Sequence, residues 1–113
     1  MPWRSGDNSR TLAFLAISAN TTIVIPAGWA IDAVHVENTT ANAVTGGVKI
    51  GTTAGGIDVV AALAVGANVL TFVLDAALLK RFFGAADQTL HVQAVIAWNS
   101  AVINMYVPIV RLL

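Results

Sequence analysis

The side chains able to do chemistry are few and widely spaced in this sequence. Histidine occurs only at His35 and His91, and the six acidic residues are Asp7, Asp32, Glu37, Asp58, Asp75 and Asp87. A metal site needs three or four convergent ligands, and a glycosidase needs two facing carboxylates. The spacing of these residues singles out neither a metal site nor a pair of catalytic carboxylates. We interpret both histidines as hydrogen-bonded on a sheet face or at an interface, and Asp75 and Asp87 as caps or turn ends.

The sequence gives equally little support for a catalytic nucleophile or a phosphate-binding loop. The chain has no cysteine, which excludes disulfides, thiolates and cysteine-containing zinc sites. No serine lies in a G-x-S-x-G motif. The glycines of Gly51–Gly56 do not lead into Gly-Lys-Ser/Thr and a helix, as a P-loop requires, so we predict a hairpin loop there. We expect no enzyme, cofactor or metal ion; the alternative is a small enzyme in which His35 or His91 meets an acid.

The three tryptophans raise the question of sugar binding, because aromatic rings stack on sugars. Trp98 continues the alternating series of Leu90, Val92, Ala94 and Ile96, which predicts core packing. Trp3 lies in a polar segment with nothing local to bury it. We therefore expect Trp3 to anchor on a neighbouring subunit.

Composition points to association. Of 113 residues, 57% are hydrophobic and 11% are charged, with no formal net charge; the mean hydropathy is +0.75. Disordered chains are poor in apolar residues, and nucleic-acid binders need a surplus of cations. Both classes are therefore disfavoured. Partner subunits, a larger assembly or lipid must cover the apolar surplus.

Of these three possible partners for the apolar surface, lipid has the least support in the sequence. Uncharged stretches over Thr11–Ile31 and Gln88–Val110 are long enough to span a bilayer. Both contain Asn and Pro, and both alternate as strands do. The N-terminus also lacks the basic start and apolar centre of a secretory signal. We expect no membrane partner and no signal peptide.

The pattern of short alternating segments predicts an all-β fold: an antiparallel β-sandwich or jelly roll of about seven or eight strands. One short helix is expected near residues 75–83, between Asp75 and the terminator Gly84. We predict a polar N-terminal arm over residues 1–10 and a single β-sandwich domain over residues 11–113.

Particular strands carry sharper expectations. Trp29–Glu37 is predicted to be one strand, and Lys49 and Asp58 to occupy matching places on two arms of a hairpin. Ala61–Val65 is ambiguous between helix and strand. The first strand, from Thr11 to Ser18, is apolar on both faces, which predicts burial on both sides and suits an obligate assembly.

Five segments together resemble small phage-encoded virion proteins found beside head and tail genes: Ile25–Gly28, Glu37–Gly47, Ile50–Gly56, Gly66–Asn68 and Trp98–Ser100. The sequence is most similar to jelly-roll head-decoration (cement) or head-fibre proteins, over residues 20–113. The resemblance carries no catalytic motif. It implies a protein that binds the outside of a capsid as a dimer or trimer and reinforces the shell.

The implied partners are a second copy of the chain and a major capsid protein, in a virion made in the host cytoplasm. For the subunit or capsid interface we predict Trp3, Arg4, Arg10, Phe82 and Phe83, the last two as either a docking patch or part of the core. The alternative function is a carbohydrate- or receptor-binding module, such as a fibre head.

Overall fold

Alternating apolar and polar residues form short strands throughout the computed structural model, which describes residues 9–73 and 85–111. Nine strands are present in those residues: β1 (Ser9–Ile17), β2 (Thr21–Ile25), β3 (Trp29–Ile31), β4 (Val34–Asn38), β5 (Val44–Gly51), β6 (Val60–Val65), β7 (Val69–Val73), β8 (Gln88–Ala94) and β9 (Ile103–Arg111). The helix predicted near residues 75–83 lies outside the described residues. The predicted all-β class is confirmed.

Two antiparallel sheets make up the sandwich. The first has the strand order β1-β9-β4-β7, with β3 also paired to β9, and the second has the order β2-β8-β5-β6. Apart from β3, which pairs with β9, the strands pair from the two ends of the chain inward: β1 with β9, β2 with β8, β4 with β7 and β5 with β6. This is a long hairpin rolled up into two sheets, which is the jelly-roll arrangement.

One hydrophobic core fills the space between the sheets. Strands of both sheets contribute to it, and its fully buried side chains include Ile25, Ile50, Leu90, Met105 and Ile109. In β9 the residues alternate between buried and half-buried from Ile103 to Val110. That alternation, driven by burial of one apolar face, separates each strand into an inner side and an outer side.

The expectation for β1 was only partly right, because a bulge interrupts the strand. Its register with β9 shifts between Phe14 and Ile17, where Ala16 adopts a φ of 56°. Phe14 packs against the core and Ile17 is buried, whereas Leu15 is 63% exposed. Leu15 faces outward by ordinary alternation from Phe14, and the extra residue turns Ile17 inward.

The predicted strand Trp29–Glu37 is divided into β3 and β4. Both pair with β9: Ile31 lies opposite Ile109 and His35 opposite Tyr106. Between these two pairs, three residues on one side therefore face two on the other. The extra residue breaks the strand while the chain keeps the same neighbour.

The predicted glycine-rich hairpin exists, but its second arm starts later than expected. Val48 pairs with Leu63 in β6, so the ambiguous segment Ala61–Val65 is a strand. Asp58 lies in the connection and accepts hydrogen bonds from the Thr52 N–H and hydroxyl at 2.8 and 2.6 Å. The prediction that Lys49 and Asp58 occupy matching places on two arms of a hairpin was wrong. Asp58 lies in the loop after β5, where it accepts the hydrogen bonds from Thr52.

The strand predicted from Thr89 to Trp98 ends at Ala94 as β8. Thr45 then accepts hydrogen bonds from the backbone N–H groups of Ile96 and Ala97, which bends the chain away from regular pairing. As a result Ile96 is 73% exposed, against the predicted inward position. Trp98 packs against the core as predicted.

Candidate functional site on the outer face of the first sheet

Four half-buried polar residues lie together on the outer face of the first sheet. Strands β4 and β9 bury every second residue, which turns the residues between them outward. Register places Glu37 opposite Asn104 and His35 opposite Tyr106. We call these four residues the Glu37 cluster.

Hydrogen bonds fix the Glu37 carboxylate within this cluster. The Asn104 amide donates from Nδ2 to Glu37 Oε1 at 3.1 Å, and the Tyr106 hydroxyl donates to the same oxygen at 3.4 Å. Asn104 Oδ1 accepts the backbone N–H of Ala16 at 3.0 Å. Asn104 therefore connects the bulge of β1 to the carboxylate on β4.

A carboxylate held in this way can recognise a hydrogen-bond donor. Ionised carboxylates only accept hydrogen bonds, and those from cationic groups are the strongest. Both bonds to Glu37 go to Oε1. Among the described residues, Oε2 has no hydrogen-bond partner, so it is available to an ammonium, a guanidinium or a hydroxyl group.

Apolar side chains border the cluster on both sides. Leu15 is 63% exposed and Leu70 is 66% exposed; Leu70 lies opposite Glu37 across the β4–β7 pair. No Lys or Arg belongs to the outward-facing described residues of β1, β4, β7 and β9. The cluster thus presents negative charge within a weakly polar surface.

An open groove adjoins the carboxylate at the end of β4. It combines one acid, three other polar residues and two aliphatic side chains, and its lining is Glu37, Asn38, Thr39, Asn68, Val69 and Leu70. We call it the Glu37 groove. Its composition suits a basic side chain, whose charged end meets the carboxylate while its methylene groups lie on aliphatic surface.

Of the predicted interface residues, the structure describes Arg10 alone. Its guanidinium lies over the Trp29 ring, 4.8 Å from the ring centroid, a cation–π contact at the rim of the core. Trp29 itself is buried, with 9% exposure. Trp3, Arg4, Phe82 and Phe83 lie outside the described residues.

The two histidines lie on opposite sheets. His91 belongs to β8 and is opposite Thr22 on one side and Gly51 on the other, so it points away from the core on the second sheet. His35 stands two residues from Glu37 on one face. The spacing of the acids along the chain did not indicate this cluster, because only the pairing of β4 with β9 brings Asn104 and Tyr106 to Glu37.

Asp87 lies at a turn end, as predicted. Its Oδ1 accepts the backbone N–H of Ala27 at 2.8 Å, which ties the start of β8 to the turn after β2. Asp75 lies outside the described residues.

Residues 9–73 and 85–111 lack two further features. No group of three or more His, Asp or Glu side chains is placed to hold a metal ion there. That part of the chain also contains no helix with the length and apolar character needed to cross a bilayer.

Comparison with protein-family models, with curated proteins and with solved structures found no match to this chain.

Proposed function

We propose that this chain is a non-enzymatic structural protein of a phage virion, a homo-oligomeric decoration or cement protein that binds and stabilises the capsid exterior. The observation that carries the proposal is the outer face of the first sheet. There, Leu15 and Leu70 expose about two-thirds of their surface on either side of the half-buried Glu37 cluster.

A sheet face that stays in water is normally polar, since antiparallel sheets alternate apolar inside and polar outside. This face instead presents Ala13, Leu15, Leu70, Pro108 and Val110 around the Glu37 cluster, with Ser9 and Thr11 at one end of β1. Contiguous exposed apolar surface marks contact sites. A chain with 11% charged residues also has few groups with which to keep such a face solvated.

The proposed contacts are with a second copy of the chain, as a dimer or trimer, and with a major capsid protein. Trp3, Arg4, Phe82 and Phe83 are the proposed anchors beyond the described strands. Arg10 belongs at the rim of the interface, because its guanidinium already contacts Trp29. The place of action is the virion, after synthesis in the host cytoplasm.

Binding to phage heads tests the proposal. Heads of the parent phage that lack this protein are mixed with the purified chain, pelleted, and then heated while release of DNA is followed. We expect saturable co-sedimentation and a higher temperature of DNA release. Heads that neither retain the chain nor gain resistance to heat would contradict the proposal.

The alternative function, a carbohydrate- or receptor-binding module, has one observation in its favour. The Glu37 cluster places a carboxylate, an amide and a phenol on an exposed sheet face, and such groups orient sugar hydroxyls. The buried Trp29 and the Trp98 indole, whose N–H donates to Asn20 Oδ1 at 2.8 Å, do not serve as open sugar platforms. Glycan-array binding that is abolished in Tyr106→Phe would favour this alternative.

A further inference from the structure

The outer face of the first sheet is organised in rows that cross its strands. Register places Asn104 opposite Glu37, and Glu37 opposite Leu70. The pairing of β1 with β9 runs to the residue before Leu15, so Leu15 lies beside Asn104 at the other end of the row. The two leucines are 63% and 66% exposed, and three strand spacings put them about 14 Å apart. We call these four residues the Glu37 row.

A second row lies next to the first, two residues along each strand. Ala13 pairs with Tyr106, and Tyr106 pairs with His35. We call these three residues the His35 row. On β4, His35 and Glu37 are about 7 Å apart, and both are half-buried. The face thus carries a base and an acid on the same strand, in two neighbouring rows.

The described arginines of β1 and β9 are Arg10 and Arg111, and both lie beside Trp29. The Arg10 guanidinium is over the Trp29 ring, and Arg111 pairs with Trp29 at the last residue of β9. Seven residues of β9 separate that end from the Glu37 row, which is about 23 Å. Among the described residues, the base on this part of the face is therefore His35.

A second copy of this face is complementary to the first. In a contact about a two-fold axis, residue i meets residue j of the second copy, and j meets i. If the axis crosses the strands between the two rows, the Glu37 row lies over the second copy's His35 row. Each Glu37 then faces a His35, and each Asn104 faces a Tyr106. Imidazole donates from a ring N–H in both its neutral and its charged form, and a carboxylate accepts.

A two-fold axis along the strands matches the face less well. It would place Glu37 over Asn104, and His35 over Tyr106. Within one copy Asn104 already donates to Glu37 through Nδ2 and accepts the Ala16 N–H through Oδ1. That orientation therefore gives the carboxylate no new basic partner, whereas an axis across the strands gives each acid the base of the other copy.

We propose that the outer face of the first sheet packs on the same face of a second copy, about a two-fold axis that crosses the strands, with each Glu37 accepting a hydrogen bond from the other copy's His35. This inference rests on the proposed homo-oligomer, and it makes that oligomer a dimer. Leu15 and Leu70 lie at the two ends of the contact, where the second copy removes exposed apolar surface from water.

Complementation by mixing tests the contact in the full-length protein. Glu37→Lys sets a cation against a base, and His35→Glu sets an acid against an acid. We expect each variant alone to raise the dissociation constant between copies at least about tenfold. An equimolar mixture brings the new lysine to the new glutamate, so it should recover a dimer that contains one copy of each variant. Sedimentation velocity and native mass spectrometry measure this recovery.

Thr89→Lys is the matched control for the charge variants. Thr89 is exposed on β8 of the second sheet, so its replacement should leave the dimer unchanged. Glu37→Gln removes the charge but keeps a side-chain oxygen for Asn104 and Tyr106, and it should weaken the dimer less than Glu37→Lys does. A mixture of Glu37→Lys with His35→Glu that stays monomeric, with both variants folded by circular dichroism, would overturn the contact.

Cross-linking tests the orientation without any charge variant, since the chain has no cysteine of its own. In the proposed orientation Leu15 lies over the second copy's Ala13. Ala13→Cys and Leu15→Cys proteins are mixed, treated with a short bismaleimide and weighed by intact mass spectrometry. We expect the mixed dimer in excess over a mixture of Ala13→Cys with Thr89→Cys. Equal yields, or preferential cross-linking of Leu15→Cys to Leu70→Cys, would overturn the proposed axis.

The outcomes separate this inference from the proposal beneath it. A wild-type trimer, or an oligomer that persists unchanged in Glu37→Lys and His35→Glu, overturns the two-fold contact and leaves the homo-oligomer standing. Charge variants that stay dimeric but no longer bind phage heads assign the face to the capsid protein and also overturn it. A wild-type chain that is a monomer at every concentration overturns both.

Discussion

Asn38 is the buried polar residue that organises one end of the sandwich. It is 1% exposed; its Nδ2 donates to the carbonyls of Asn42 and Gly66 at 2.7 and 2.9 Å. Its Oδ1 accepts the backbone N–H and the hydroxyl of Thr40 at 3.0 and 2.6 Å. The Asn38 side-chain amide thereby supplies hydrogen-bond partners to groups in the loop after β4 and in the turn between β6 and β7.

We expect Asn38→Ala to lower the free energy of unfolding by about 2–4 kcal/mol, because buried backbone groups are left without partners. Urea denaturation followed by circular dichroism measures the loss. Asn42→Ala is the control: its Nδ2 makes one exposed bond of 3.4 Å to Ser100, and the cost should stay below about 0.5 kcal/mol. Equal stability of Asn38→Ala and wild type would show that this amide does not hold the loops.

The sequence indicates which face of its strand Glu37 occupies, but it does not indicate which residues lie beside it. The alternation of His35 and Glu37 with buried valines indicates that both face outward, and the same holds for Asn104 and Tyr106. Nothing in the local pattern pairs β4 with β9, which lie more than sixty residues apart in the chain. The members of the cluster were therefore accessible to prediction, and their meeting was not.

At the level of elements, the loop after β5 folds tightly over Gly51. A Cβ atom built on Gly51 would lie 2.4 Å from the Gly56 carbonyl carbon, which is backbone and unable to move aside. Gln93 Oε1 accepts the Gly55 N–H at 2.9 Å and holds the same loop to β8. The hairpin connection is thus fitted to a glycine at its base.

We expect Gly51→Ala to destabilise the fold by about 2–3 kcal/mol through steric overlap with the backbone. Gly66→Ala serves as the matched control, since its Cβ would meet Val69 at an ordinary 3.7 Å. The control should be neutral or slightly stabilising, because alanine restricts the unfolded chain. Thermal unfolding of both variants decides the point; two similar melting temperatures would refute close packing at Gly51.

Strand type was readable from alternation, whereas strand continuity was not. The all-β class was predicted correctly because the chain consists of short apolar segments separated by turn residues. The bulge at Ala16, the break between β3 and β4 and the bend after Ala94 each depend on one extra residue relative to a distant partner strand. Such a mismatch is a property of the pair, and a single sequence does not display it.

At the scale of the whole molecule, the exposed leucines of the first sheet are expected to drive assembly. Leu15→Glu and Leu70→Glu should each weaken association between copies by about tenfold or more, because a charge enters an apolar contact. Their free energies of unfolding should change by less than about 0.5 kcal/mol, since both side chains are exposed. Sedimentation velocity over a dilution series measures the association.

Ile57→Glu is the matched control for these variants. Ile57 is 58% exposed and lies in the loop between β5 and β6, away from the Glu37 cluster. It should leave the oligomer intact. If Ile57→Glu dissociates the copies and the leucine variants do not, the contact surface lies on the other side of the sandwich.

The structure shows where the apolar residues of this weakly charged chain lie. Core packing accounts for the inner faces of both sheets. Part of the exposed remainder lies on the outer face of the first sheet around the Glu37 carboxylate, at Leu15 and Leu70, and part lies elsewhere, at Val24, Ile57, Val95 and Ile96. A jelly roll by itself serves capsid proteins and lectins alike. We expect copies of the chain to cover that face.

Size-exclusion chromatography coupled to light scattering measures this most directly. One chain has a mass of 11.7 kDa, and we expect a single species of two or three times that mass, which shifts toward one copy in Leu70→Glu. A wild-type protein that elutes as an 11.7 kDa monomer at every concentration would contradict it.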